Sequence, residues 1–190
     1  MTQSDAIGLD GARPPEDRTP RSARATPPEL PQLFRQAMRR LVASVCILTT
    51  RDAHGTAIGM SATAVTSLTA DPPALLMCVN RAASMHASLT IGRPVAVHIL
   101  GAEHGELCFV FGGRATPAER FASGDWTLRD QDMPVLEAAQ ANLFCTVDAL
   151  HAYGTHSIVV AKVDAVRIGG SIRPLVFVDG RIATVTDYHQ

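Results

Sequence analysis

The sequence predicts a mainly β protein with short helices, in which the strands form a barrel. About seven runs of apolar and β-branched residues have the length of strands, whereas only three or four segments show helical spacing. These segments do not alternate as strand, helix, strand over any long stretch, as a doubly wound parallel sheet requires. The pattern therefore favours a barrel.

Composition excludes several classes of protein. The chain has 190 residues, enough for one domain with a substantial core, and its formal net charge of −1 predicts no surface for nucleic acid or an anionic membrane. No apolar run approaches the ~20 residues of a membrane span, and the N-terminus lacks the apolar stretch of a signal peptide. The four cysteines show no paired spacing, so we expect no metal site, no disulfide framework and a cytoplasmic location.

Residues 1–28 are predicted to be a disordered tail, and residues 29–190 to be a single domain. The tail is rich in Pro, Arg, Asp and Ala, and six prolines fall between Pro14 and Pro31. A helix follows the tail, because apolar residues recur at helical spacing opposite a face of arginines and glutamine (Leu33, Phe34, Ala37, Met38, Leu41).

The next part of the chain reads as three strands. We expect a strand over residues 41–50, a turn at residues 52–55 and a return strand over residues 57–69. After the turn Asp71-Pro72-Pro73, the short apolar run at residues 74–79 predicts a strand that is buried on both faces.

The second half of the chain carries the remaining elements. Ser84 is expected to cap a helix that ends at Gly92. The other predictions, in order, are a strand at 94–100, a helix at 103–109 broken at 111–114, a helical turn at 116–121, two long strands at 138–168 that flank a turn at 153–156, and a hairpin at 175–185. Trp126 reads as a core anchor, and a cover over the active site is the alternative.

The segment from Gly59 to Thr69 has an unusual composition for a strand. Small and hydroxyl residues dominate it, and Val65 and Leu68 are its only bulky branched residues. Small side chains let a flat ring approach main-chain N–H groups, and hydroxyls donate to phosphate without the cost of burying a cation. A small-residue strand packed under a helix is the alternative that composition leaves open.

The order of several short motifs resembles a known family. The run Gly59-Met60-Ser61-Ala62-Thr63-Ala64, then Ser67, Asp71-Pro72-Pro73 and residues 79–86 resemble the flavin reductases of two-component monooxygenases, which are FMN-binding split β-barrels. The likeness spans residues 34–185 and extends to an Arg-Phe pair, Arg120-Phe121. It implies flavin-binding positions at Ser61, Ala62, Thr63, Ala64, Ser67, Leu68, Thr69, Asn80, Arg81, Ser84 and His86.

His156 is the side chain that the resemblance singles out for catalysis. It lies in Tyr153-Gly154-Thr155-His156, which is similar to the family's Gly-Asp-His block, whose histidine lies near the nicotinamide. This chain departs from the pattern, since Thr155 replaces the aspartate and Ala161 stands where a glycine is usual. A threonine hydroxyl can orient an imidazole but adds no charge beside it.

The expected function is therefore an NAD(P)H-dependent flavin reductase. It would transfer hydride from NADH or NADPH to FMN or FAD and supply reduced flavin to a separate monooxygenase. The absence of a Gly-x-Gly-x-x-Gly motif argues against a Rossmann unit, and the absence of Gly-x-Ser-x-Gly argues against a hydrolase. A flavin-binding electron carrier and a split-barrel oxidase stay open as alternatives. The resemblance also implies a homodimer.

Overall fold

A seven-stranded antiparallel sheet forms the centre of the computed structural model, which describes residues 28–117, 119–127, 133–170 and 172–186. Its helices are α1 (Leu30–Met38) and α2 (Gly105–Phe109). The strands are β1 (Ala43–Ser44), β2 (Cys46–Arg51), β3 (Ala57–Ala62), β4 (Val65–Ala70), β5 (Pro73–Asn80), β6 (Pro94–Ile99), β7 (Trp126–Thr127), β8 (Val135–Leu136), β9 (Ala141–Tyr153), β10 (His156–Ile168), β11 (Leu175–Val178) and β12 (Arg181–Thr184). The predicted mainly β class with short helices is confirmed. All but one residue of the predicted tail, 1–28, lies outside the described residues.

The large sheet curls because its two edges are joined by a very short link. The strand order is β3-β2-β6-β9-β10-β5-β4, so β3 and β4 lie at opposite edges, yet only Thr63 and Ala64 connect them. A flat sheet of this width would separate its edges by about 29 Å. Three residue steps from Ala62 to Val65 span at most about 10 Å. The sheet must therefore close into a barrel whose edges meet at this link without pairing.

Two apolar clusters fill the fold. The first is the barrel interior, to which side chains from β2, β5, β6, β9 and β10 contribute. The second lies outside the barrel, between β2, α2 and a small three-stranded sheet in which β11 pairs with both β1 and β12. Phe111, Phe121 and Trp126 pack there with ring centroids 5.1–5.2 Å apart. Trp126 thus serves as the predicted core anchor.

The predicted single return strand over residues 57–69 is wrong. The chain forms two strands, β3 and β4, which pair with β2 and β5 respectively on opposite sides of the barrel. Ala62 is buried in the core at the end of β3, whereas Thr63 and Ala64 are exposed. The local sequence pattern could not show the division at residues 63–64, because β3 and β4 are distinguished only by the strands with which they pair.

The predicted Ser84-capped helix is also wrong. Only a 3₁₀ turn, His86–Ser88, forms there, with no side-chain cap, and Ser84 itself is exposed. The turn after β5 is instead set by Asn80, whose Oδ1 accepts a hydrogen bond from the Ala82 N–H (2.9 Å). Burial of Met85 and Leu89 draws the chain back to the barrel after one turn.

The break predicted at residues 111–114 is confirmed, because Gly113 (φ 111°) has a non-helical backbone conformation there. The chain passes from a 3₁₀ turn (Ala102–His104) through α2 into a π-helical turn, Val110–Arg114, in which Phe111 is buried. The helical turn predicted at residues 116–121 forms as a 3₁₀ turn at its end, Arg120–Ala122. The two long strands and their turn at 153–156, and the final hairpin, are confirmed by β9, β10, β11 and β12.

A buried polar cluster crosses the middle of the sheet. His98 on β6 is fully buried, and Asn142 on β9 directs its Oδ1 at His98 Nδ1 because its amide Nδ2 donates to the Leu136 carbonyl (3.1 Å). On the other side, His98 Nε2 lies 2.9 Å from Thr49 Oγ1. Burial lowers the pKa of His98 to about 4, against smaller opposing effects of Asn142 and Pro134. The imidazole is therefore neutral at pH 7.

This cluster predicts a loss of stability in mild acid. An unfolded histidine has a pKa of about 6.5, so between pH 6.5 and 4 the unfolded chain binds the proton more readily than the folded one. Stability from burying the neutral ring is complete above pH 6.5 and falls by up to about 3 kcal/mol as the pH drops towards 4. We expect His98→Gln to flatten this part of the pH dependence in urea unfolding, and His54→Gln, in an exposed turn, to leave it intact. Equal slopes in the wild type and His98→Gln would contradict the prediction.

Candidate functional site

The link Thr63–Ala64 emerges at one end of the barrel, beside the last residues of β5. The Ala64 carbonyl accepts a hydrogen bond from the Cys78 N–H (3.0 Å), and Asn80 follows two residues later at the exposed end of β5. The side chains of Thr63 and Ala64 are small, so the main chain of the link is accessible from outside. Thr63 and Ala64 thus lie near Asn80, and all three are predicted flavin-binding positions.

His156 lies at the same end of the barrel. It begins β10 and is in register with Asn80 on β5 and Tyr153 on β9. The Arg81 N–H donates to the Thr155 carbonyl (2.9 Å), which joins the loop after β5 to the turn that carries His156. Thr63, Ala64, Asn80, Arg81 and His156, which the sequence singled out separately, are therefore brought to one end of the fold.

Thr155 orients the imidazole of His156. The Thr155 Oγ1 lies 2.9 Å from His156 Nδ1, and both side chains are exposed. The contact constrains the orientation of the ring. Threonine thus provides the orienting contact expected of it, without adding a charge.

His86 and Ser84 differ in their surroundings. His86 is half-buried, and its Nε2 lies 2.9 Å from the Oγ of Ser157, which is buried directly after His156. His86 therefore connects the loop after β5 to the start of β10. Ser84 is exposed on that loop, between Arg81 and His86.

Ser61 and Ala62 form the β3 side of the site. Ala62 turns its side chain into the barrel core, so only its main chain is available to a ligand. Ser61 points to the other face, towards the π-helical turn, where a Cβ placed on Gly112 would lie 3.3 Å from Ser61 Oγ. Ser61 is half-buried there.

Ser67, Leu68 and Thr69 lie further along β4. Ser67 pairs with Leu75 and Thr69 with Ala74, while Leu68 forms a bulge between them. Leu75 precedes Asn80 by five residues, which is about 16 Å along a strand. These three residues do not join the His156 end, so a ligand that contacts both groups must lie along the outer edge of β4, whose residues 66–70 are exposed.

Three features of the site were not assigned a role from the sequence. Arg120 Nη1 donates to the Gly59 carbonyl (2.6 Å), Gly112 covers Ser61, and Tyr153, with 82% of its surface exposed, lies opposite His156. The Arg120-Phe121 pair was a visible signal, but its partner on β3 is about 60 residues away in the chain. Only the folded chain shows that contact.

The buried thiols take no part in this site. Burial raises the pKa of Cys46 and of Cys145 to about 12, with the nearby Asp164 charge adding to the effect on Cys145. Both thiols are therefore protonated at neutral pH and pack as small apolar groups. In the described part of the chain, no helix is both long and apolar enough to cross a membrane.

Comparison with known proteins identifies the family. Residues 38–186 match the flavin reductase like domain family. The chain belongs to this family. It is similar to an FMN reductase (NADH), RutF, from Variovorax paradoxus, with 41% identity over 156 residues that cover 82% of this chain and 86% of that protein. The resemblance seen in the sequence is thereby confirmed.

Solved structures of flavin reductases share the fold. One is the NADH:FAD oxidoreductase SgcE6 of Streptomyces globisporus C-1027 in complex with NAD and FAD fragments (TM-score 0.75, 25% identity, 86% of this chain and 98% of that one). Another is the styrene monooxygenase flavin reductase SMOB of Pseudomonas putida S12 (TM-score 0.73, 25% identity, 82% and 99%). The predicted split-barrel architecture is confirmed by these likenesses.

Proposed function

We propose that this protein is an NADH-dependent flavin reductase that transfers hydride to FMN and releases reduced flavin to a separate monooxygenase. The observation that carries the proposal is the accessible Thr63–Ala64 link beside Asn80, Arg81 and His156, in a chain that belongs to the flavin reductase like domain family. The preference for FMN and NADH is supported by the name of the RutF relative, and the monooxygenase partner by that of SMOB. FAD is named for the SgcE6 neighbour and is the alternative flavin.

The residues at the link suit a flat, phosphorylated ligand. Ala62, Thr63 and Ala64 place no bulky side chain over the main chain, so a ring can approach their N–H groups. The exposed hydroxyl of Ser67 and the guanidinium of Arg81 can donate to ribityl oxygens or phosphate. The Thr69 hydroxyl donates to the Asp71 carbonyl (3.2 Å), so Thr69 belongs to the set as a neighbour of the ligand. Leu68, Asn80, Ser84 and His86 complete the proposed flavin-binding set.

The protein's task in this reaction is to position two rings. When bound, the nicotinamide donates a hydride and the flavin ring accepts it. Main-chain N–H groups of residues 61–64 favour the negative charge that develops on the accepting ring. His156, held by Thr155, is proposed to contact the nicotinamide and keep it stacked.

The proposal is tested by NADH oxidation with and without FMN. The purified protein is expected to oxidise NADH much faster when FMN is present. His156→Ala should lower kcat/KM for NADH about tenfold or more, since it removes a positioning contact worth at least about 1.4 kcal/mol. His54→Ala is the matched control, because His54 is also an exposed hairpin-turn histidine but lies in the turn between β2 and β3. FMN binding without any NADH turnover would instead favour the electron carrier.

We also propose that the protein is a homodimer in which α1 is covered by the second copy. α1 has no buried residue, and its apolar side chains are about half exposed (Leu30 48%, Leu33 54%, Phe34 60%, Met38 47%). A nine-residue helix is not stable in water by itself. Directly after α1, Arg39 bonds to Asp179 through its Nε (2.9 Å), and its carbonyl accepts from the Asp179 N–H (2.9 Å), but both side chains are exposed. Beside it lies a groove lined by Phe34, Met38, Leu41 and Phe177. The apolar side chains of α1 and the groove lie next to each other, so each copy could place its helix in the groove of the other across a two-fold axis.

Light scattering after gel filtration tests the homodimer. Phe34→Glu buries a charge in the proposed interface and should give a monomer at micromolar concentration. His54→Glu adds a charge of the same sign in the exposed turn between β2 and β3, outside the groove, and should remain dimeric. A wild-type monomer, or dimers in both variants, would contradict this interface.

The proposal assigns the activity to residues 29–190 and places the protein in the cytoplasm. The cysteines in the described part of the chain are free thiols, which supports a reducing compartment.

A further inference from the structure

We propose that Arg120 is a positioning residue for the flavin, which acts by fixing the main chain of β3 just before Ser61. The inference rests on the proposed function, because it requires residues 61–64 to contact flavin. It names a residue that does not itself belong to the proposed flavin-binding set.

Within the residues that the structure describes, β3 has no strand neighbour on its outer side. It is an edge strand of the large sheet there and pairs with β2 alone. Main-chain groups on such an edge need another partner or contact with water. At Gly59 the partner is Arg120, whose Nη1 donates to the carbonyl oxygen at 2.6 Å. The Arg120 side chain thus supplies one hydrogen bond that a neighbouring strand would otherwise make.

Gly59 is held from its other sides as well. A Cβ at this position would lie 2.8 Å from the Leu48 carbonyl oxygen and 2.9 Å from Cε1 of Phe111, so only glycine fits. Phe111 itself is almost fully buried in the second cluster. Gly59 is therefore clamped between β2, Phe111 and Arg120, two residues before Ser61.

The sequence brings Arg120 to this point through its neighbours. Phe121 packs edge-to-face on Phe111 and on Trp126, with ring centroids at 5.2 and 5.1 Å. On the other side, both the N–H and the hydroxyl of Thr116 donate to Glu119 (3.1 and 2.7 Å), and these bonds lower the pKa of Glu119. The residues before and after Arg120 are thus both held in place, so the position of Arg120 does not depend on its hydrogen bond to Gly59.

The positive charge of the Arg120 guanidinium also has few compensating contacts. Its Nε is buried without a hydrogen-bond partner, and among the described residues no carboxylate lies within ion-pair distance of Arg120. Burying part of a cation without a counter-charge is unfavourable for the fold. A residue kept only for packing would not need a partly buried cation, so we attribute its presence to the hydrogen bond that it donates to the Gly59 carbonyl (2.6 Å).

The experiment compares Arg120→Met with Arg114→Met. Arg114 lies in the same segment, but it is exposed and bridges to Glu106 (3.1 Å). Two quantities are measured in each variant: the FMN dissociation constant by fluorescence titration, and the KM values for FMN and NADH. We expect Arg120→Met to weaken FMN binding and raise the KM for FMN about tenfold, with the KM for NADH unchanged, and Arg114→Met to behave as wild type.

Arg120→Lys is a second variant in case Arg120→Met does not fold. Lysine keeps the charge and one donor, so we expect the same changes at a smaller size. Loss of thermal stability or active fraction with unchanged FMN affinity, or failure of both variants to fold, would show a purely structural role and overturn the inference.

The same titrations separate the inference from the proposed function. If the wild type binds FMN but does not oxidise NADH, the reductase proposal fails, while weaker FMN binding by Arg120→Met still supports the inference. If the wild type is an active reductase and Arg120→Met binds FMN normally, the inference alone fails. A wild type that binds no FMN overturns both.

Discussion

The two-residue link between β3 and β4 is the constraint on which the fold depends. It joins strands that lie at opposite edges of a seven-stranded sheet, so the sheet can satisfy its strand order only by curling until those edges approach each other. The residues at the join, Thr63 and Ala64, are small, and they lie beside Asn80 and the turn that carries His156. Chain connectivity alone therefore produces a side-chain-poor opening next to the polar end of β5 and β10.

A barrel closed in this way keeps two strand edges, and the chain treats them differently. The outer edge of β3 is covered by the π-helical turn and by Arg120, which bonds to the Gly59 carbonyl. The edge strand β4 carries no such cover among the described residues and is exposed over residues 66–70. One edge is thus fixed and the other left accessible, which is the asymmetry that a site for an extended ligand requires.

The parts of this arrangement that could be predicted are those set by local pattern. The apolar run of β5, the long strands β9 and β10 with their turn, and the Asp179-Gly180 hairpin each carry their own signal, and Asp179 and Gly180 have the positive φ angles (50° and 77°) that the turn requires. The division of residues 57–69 into two strands has no local cause, because Ala62 and Val65 look alike until their different partners are known. Ser84 has the composition of a helix cap, but Asn80 and the burial of Met85 and Leu89 decide the turn. The Arg120 contact with Gly59 is likewise long-range.

The distribution of ionisable groups explains why the chemistry belongs at the end of the barrel. Burial lowers the pKa of His98, which faces Trp126 on the outer side of the barrel wall, to about 4. In the interior, burial raises the pKa of the Cys46 thiol to about 12, so neither group carries charge at neutral pH. The interior is therefore apolar and uncharged, and it serves as a rigid support. Polar groups that can meet a ligand (Asn80, Arg81, Thr155, His156) are on the exposed turns that this support holds together. Hydride transfer between two stacked rings needs positioning more than it needs proton transfer by side chains, and a neutral barrel with ordered turns at one end meets that need.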